Sequence, residues 1–174
     1  MENVEPAMLA LKQMISSQGM HVHYPVEVRF VKGDDIWCSP AYGRDTAYIG
    51  VIMFKPYGFS VPYRAYFDEF ERIMAGLGGR PHWAKDFRFN AADMETAYPM
   101  WKNFQRLIHL LDPTGVFCNE WALRVVKGVD AAGAQLKPWL SNTEQATLAE
   151  QVRVFDRNVL PSDKSADFGS DSES

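Results

Sequence analysis

Tyr24-Pro25-Val26-Glu27-Val28-Arg29-Phe30 sets the class of the fold. Val26, Val28 and Phe30 alternate with Glu27, Arg29 and Val31, the period of a strand with one face in the core. Residues 46–54, with Tyr48-Ile49-Gly50-Val51-Ile52-Met53-Phe54, read as a second strand that is apolar on both faces and therefore central in its sheet. Between them, Asp34-Asp35 and Ser39-Pro40-Ala41-Tyr42-Gly43 form a loop, and the two aspartates suit a turn better than a metal site.

Helical patterns surround these strands. Residues 3–18 start with Asn3 as a cap and Pro6 in the first turn, carry a stripe of Met8, Leu11, Met14 and Ile15, and stop at Gly19. After Pro62, the side chains Tyr66, Phe67, Phe70, Ile73, Met74 and Leu77 recur on one wide helical face. Gly76-Leu77-Gly78-Gly79 ends that helix. A dinucleotide loop would instead follow a strand and open a helix. A third helix runs from Pro99 to Leu111 with Trp101, Phe104, Leu107, Ile108 and Leu111, and a short one is expected over residues 119–126. Asp130-Ala131-Ala132-Gly133-Ala134 reads as linker, after which Ser141 and Glu144 form a capping box for a helix bearing Leu148, Val152, Phe155 and Val159. From Pro161 the chain is Ser, Asp and Gly with a single aromatic, which predicts a disordered acidic tail over residues 161–174.

Few strands among helices, with no βαβ rhythm, predict an α+β fold in which an antiparallel sheet carries helices on one face. Two strands are rarely stable alone, so the sheet is expected to be incomplete, finished by chain outside this sequence. The 174 residues carry a formal net charge of −4 and a pI of about 5.5, much of it in the tail, and no basic stripe exists to neutralise phosphates. A nucleic-acid partner is therefore not expected. Cys38 and Cys118 sit among apolar neighbours and read as buried thiols. No apolar run approaches the ~20 residues of a membrane helix, and the acidic N-terminus shows no targeting signal.

The chemistry concentrates in two places. Glu27 and Arg29, two apart on a strand, project from one face about 6.5 Å apart. Arg80-Pro81-His82-Trp83-Ala84-Lys85 places an imidazole and an ammonium three apart behind a glycine-rich break, and these share a face only if the backbone between them turns. Four such groups converging would suit a small polyhydroxylated ligand, although a surface salt bridge and a structural histidine explain the same spacings. His21 and His23 read as a strand-entry pair and His109 as structural.

In order along the chain, Glu2-Asn3, Pro25-Val26-Glu27-Val28-Arg29-Phe30, Asp34-Asp35-Ile36-Trp37, Ser39-Pro40-Ala41-Tyr42-Gly43-Arg44, Arg80 to Lys85, Tyr98-Pro99, Leu111-Asp112-Pro113-Thr114-Gly115-Val116-Phe117, Asn119 and Arg124-Val125 resemble the sugar-1,4-lactone oxidases. This is the D-arabinono-1,4-lactone oxidase and L-gulonolactone oxidase group of the vanillyl-alcohol-oxidase flavoproteins. The resemblance is to the C-terminal substrate domain alone. It implies residues 1–128 as part of a cap domain, 129–160 as an extension with one amphipathic helix, and 161–174 as the tail. It implies FAD bound mainly by a domain absent from this chain, an aldono-1,4-lactone and O2 as reactants, and an ascorbate-type product with hydrogen peroxide. In that scheme Arg29, Glu27, Lys85 and His82 are the catalytic set. Arg29 meets charge developing on oxygen, Glu27 orients ring hydroxyls, and His82 or Lys85 takes the C2 hydroxyl proton. The family further suggests association with mitochondrial or other intracellular membranes. The rival expectation is a non-catalytic sugar-acid-binding or interaction domain that needs a separate FAD-binding chain.

Overall fold

A computed structural model describes residues 2–23 and 25–156, with side chains through Val154. The order is α1 (Val4–Ser17), β1 (Glu27–Val31), β2 (Thr46–Gly50), α2 (Arg64–Gly76), α3 (Ala91–Ala97), α4 (Trp101–Leu111), α5 (Glu120–Ala122) and α6 (Asn142–Asp156). This is an α+β fold with a two-stranded antiparallel sheet, and the tail expected over 161–174 lies outside the described residues.

The ladder pairs Glu27 with Gly50, Arg29 with Tyr48 and Val31 with Thr46, so these six residues share one face, while Val28 opposite Ile49 and Phe30 opposite Ala47 share the other. Two expectations need correction. Phe30 is 62% exposed, because the cluster built on Leu11, Met14 and Tyr66 reaches only Val26, Val51 and Met53 at one end of the sheet. The second strand is not central: among the described residues β2 has a neighbour on one side only, and it ends at Gly50. The chain beyond leaves the ladder for a 3-10 turn at Pro56–Gly58.

Helix α1 follows its predicted stripe through Leu11 and Met14, but Asn3 does not cap it. With ψ near 0° its side chain cannot reach back to the first turn, and its Nδ2 donates instead to Leu77 O at 3.0 Å, tying α1 to the end of α2. The glycines after α2 close the helix: Gly78 has φ +74°, and Gly79 donates to Met74 O at 2.7 Å. Helix α4 buries Trp101, yet its stripe runs out into solvent, with Leu107 and Leu111 exposed rather than packed. Asn119 caps α5 through a bond from Ala122 N at 2.9 Å, and the chain continues as a π-turn over Leu123–Lys127 to left-handed Gly128. Both cysteines are half-buried rather than buried.

Helix α3 was not visible from apolar periodicity. It begins with a capping box in which Asn90 Oδ1 accepts from Ala92 N at 3.0 Å and Asp93 Oδ2 accepts from Asn90 N at 3.0 Å. Asp93 is fully buried and accepts further from Trp139 N at 3.0 Å, Leu140 N at 3.1 Å and the Gln145 side-chain amide. Asn90 Nδ2 donates to Lys137 O at 2.6 Å.

The stretch expected as linker is a hydrogen-bonded turn, with Asp130 Oδ1 accepting from Ala132 N and Ala134 N at 2.9 and 2.8 Å. The Ser141 and Glu144 box forms as expected, Ser141 N donating to Glu144 Oε2 at 2.7 Å. Leu140, Leu148 and Val152 then enter the same core as Phe87, Phe89, Met94, Tyr98, Trp101 and Val125, so packing crosses residue 128. The Phe155 side chain and Val159 lie outside the described residues.

Replacing Asp93 by Ala strips a buried acceptor from three backbone N–H groups. Asp93→Ala is expected to lower stability by about 3–5 kcal/mol, read as a drop in the urea midpoint with an unchanged slope.

Candidate active site

Beside the sheet lies a cleft of about 440 Å³, walled by β2 on one side and by Phe67, Phe70 and Met74 of α2 on the other. Glu27, His82 and Lys85 all line it. Arg29 is not on its wall. It stands one pair further along β1 and binds Glu27 Oε1 through Nε at 2.9 Å and Nη2 at 2.5 Å. Strand parity therefore puts both on one face as expected, but only the carboxylate reaches the cleft. The side chains of Arg29 and Glu27 are 70% and 51% exposed, so the pair adds at most about 1 kcal/mol to stability.

The 82–85 segment makes the turn that a shared face for His82 and Lys85 needs. Lys85 N donates to His82 O at 3.0 Å, and His82 Nδ1 accepts from Ala84 N at 3.1 Å, which leaves Nε2 as the outward nitrogen. Between the two functional side chains, Trp83 points inward. Its ring centroid lies 5.4 Å from those of Trp101 and Trp121 and 5.5 Å from Phe104. The lead-in is fixed as well: Arg80 Nε donates to Ala97 O at 2.8 Å, Arg80 Nη1 to Tyr42 O at 2.8 Å, and Tyr98 OH to Pro81 O at 2.9 Å. An anchored tryptophan flanked by two exposed polar residues makes a rigid turn that presents His82 and Lys85 to the cleft.

The remaining candidates take structural places. Asp34 organises its loop, accepting from Ile36 N at 3.1 Å and from Ser39 Oγ at 2.6 Å. His23 Nδ1 accepts from Phe54 N at 2.8 Å, pinning the chain beyond β2. His109 is exposed in the last turn of α4. Burial pushes the Cys38 thiol up to about 11, so it stays protonated and unreactive at neutral pH.

Sequence reasoning missed two cleft residues. Tyr48 lines the wall opposite Arg29, and only the register, set by a closed loop, reveals it. Glu71 of α2 also lines the cleft and accepts from Arg88 N through both oxygens, at 2.9 and 2.8 Å, and from Phe89 N at 3.1 Å. Burial, with a smaller push from nearby Asp68, raises its pKa to about 7 against these bonds and the attraction of Arg124. Because the folded value lies above the ordinary 4.5, the native state holds the extra proton between pH 4.5 and 7. Stability from this group is complete below that window and is lost as pH rises through it, by about 3 kcal/mol in the limit. Glu71→Gln keeps Oε1, the acceptor of both N–H groups, and removes the titration. Urea denaturation at pH 5 and pH 8 is expected to show wild type losing about 2–3 kcal/mol more than the variant over that interval.

The model of the D-arabinono-1,4-lactone oxidase family matches residues 1–125. L-gulonolactone oxidase of Bos taurus is 45% identical over 125 residues, covering 71% of this chain and 28% of that protein. L-gulono-1,4-lactone dehydrogenase of Mycobacterium tuberculosis is 36% identical over 125 residues, covering 72% and 28%. Alditol oxidase of a Streptomyces species is 32% identical over 102 residues, covering 59% and 24%. The chain spans just over a quarter of the length of the first two relatives. Every residue of the cleft named above falls inside the matched segment, and the chain belongs to the D-arabinono-1,4-lactone oxidase family.

Proposed function

We propose that this chain is the substrate-binding part of an FAD-dependent oxidoreductase acting on an aldono-1,4-lactone, with the C2 hydroxyl as the oxidised group and O2 as the final acceptor. The observation that carries this reading is the convergence of Glu27, His82 and Lys85 on one cleft, with Arg29 clamped to Glu27 at its rim. A sugar lactone offers hydroxyls, a ring oxygen and a carbonyl. The cleft answers with an acceptor-only carboxylate, an amine and an imidazole, and its rim with a guanidinium.

Arg29 spends Nε and Nη2 on Glu27, which leaves Nη1 for a ligand oxygen. That guanidinium supplies fixed positive charge where oxygen becomes negative as the C2 proton leaves. Glu27 accepts from the ring hydroxyls and holds Arg29 in orientation. His82 Nδ1 accepts from the Ala84 amide, so Nε2 carries the ring hydrogen and donates it to the C2 oxygen, which leaves Lys85 to take the C2 proton.

The flavin that the family implies does not fit these residues. Its diphosphate needs a glycine-rich cradle, whereas a Cβ at Gly79 would lie 2.7 Å from Met74 O, so that glycine serves the close of α2. Flavin binding is assigned to protein outside this chain, in cis or in trans. No helix among the described residues is long and apolar enough to cross a bilayer.

The test is binding, which needs no flavin. Titrating the purified chain with D-arabinono-1,4-lactone is expected to shift the backbone NMR resonances of residues 27, 29, 82 and 85. Lys85→Ala and Glu27→Gln are each expected to weaken binding about tenfold or more while leaving Tm within about 2 °C, because both side chains are exposed. An absence of lactone-induced shifts around the cleft at millimolar ligand would defeat the reading.

A further inference from the structure

Glu27 stands opposite Gly50, which has no side chain, so the ladder position facing the carboxylate is open. The nearest side chain on the same face of β2 is Tyr48, opposite Arg29 and diagonal to Glu27, within reach of a ligand that bridges the two. On its other side the Tyr48 ring meets His82, with centroids 5.9 Å apart and planes at 64°, an edge-to-face contact. Tyr48 is therefore the residue through which the strand half of the site touches the turn half.

Its hydroxyl is uncommitted: it makes no hydrogen bond among the described residues, while Tyr98, nearby, spends its own on Pro81 O. Tyrosine is suited to such a place because its ring packs against apolar or aromatic neighbours and its tip serves a polar ligand. Burial, reinforced by the Asp34 carboxylate, raises the Tyr48 pKa, so the phenol remains a donor throughout the neutral range.

We propose that Tyr48 is a further substrate-contacting residue of this cleft, its phenol O–H hydrogen-bonding an oxygen of the bound lactone while its ring fixes the imidazole of His82. This rests on the lactone-binding reading above and adds a residue to it. A donor at this point discriminates among sugar lactones by the position of the oxygen facing β2, because a ligand lacking that oxygen leaves the phenol unpaired.

Two variants separate the two roles. Tyr48→Phe keeps the ring and removes the hydroxyl, whereas Tyr48→Leu removes both. In the purified 174-residue chain with isotope-labelled histidine, Tyr48→Phe is expected to leave the His82 ring resonances in place. Its affinity for D-arabinono-1,4-lactone should be about tenfold weaker, which is about 1.4 kcal/mol. Tyr48→Leu is expected to bind at least as weakly and to move the His82 ring resonances even without ligand. Wild-type affinity in Tyr48→Phe overturns the hydroxyl contact, and unmoved His82 resonances in Tyr48→Leu overturn the positioning role. If the wild-type chain binds no lactone, the substrate reading fails and takes the hydroxyl contact with it. The His82 resonances of the ligand-free variants still decide the positioning role.

Discussion

The buried carboxylate of Asp93 is the constraint on which the rest depends. A carboxyl group with no exposure to water is tolerable only when donors replace its hydration, and Asp93 has four: the backbone of Asn90, Trp139 and Leu140 and the side chain of Gln145. Those donors come from the start of α3, the segment before α6, and α6 itself. They leave α3 one place to sit. Its far end then holds the site, because Ala97 O and the Tyr98 hydroxyl bind Arg80 and Pro81, and Tyr98 and Trp101 pack the Trp83 ring between His82 and Lys85. Residues 139–145 lie beyond the family match at residue 125, yet they fix the helix that fixes the turn.

The two halves of the site are held by different physics. The turn half is anchored by an aromatic cluster and by hydrogen bonds from a half-buried arginine. The strand half stands on a two-stranded sheet, and its ion pair is too exposed to contribute much to folding. An ion pair that adds little stability, at the rim of a cleft, is better explained by what it binds than by what it holds together.

Much of this was legible in the chain. Helices α1, α2 and α6 carried periodic stripes and recognisable ends, and strand parity alone put Glu27 and Arg29 on one face. Helix α3 was missed because its seven residues are too few and too polar to show a stripe, although Asn90 and Asp93 spell its capping box. Phe30 was placed in the core because alternation tells which face a residue joins and not how far the helices extend over it. Tyr48 required the register, which depends on how the loop around Asp34 closes, and Glu71 looked like one more polar residue of an amphipathic helix until the 88–89 backbone came to lie on it.

That backbone shows why the sheet stops at two strands among the described residues. Phe87-Arg88-Phe89 alternates as a strand does, with both phenylalanines buried and Arg88 outward against Asp68. Its N–H groups would ordinarily seek a neighbouring strand. Instead three successive ones are taken by carboxylates, Arg88 and Phe89 by Glu71 of α2 and Asn90 by Asp93 of α3, while the Arg124 guanidinium donates to Phe89 O. Side chains from three elements thus replace a ladder. A ladder bond is indifferent to pH, whereas a bond to Glu71 depends on a group that titrates near 7. The segment that follows the His82–Lys85 turn is therefore tied down at its α2 side by a contact that changes strength in the physiological range, and at its α3 side by one that is shielded from water.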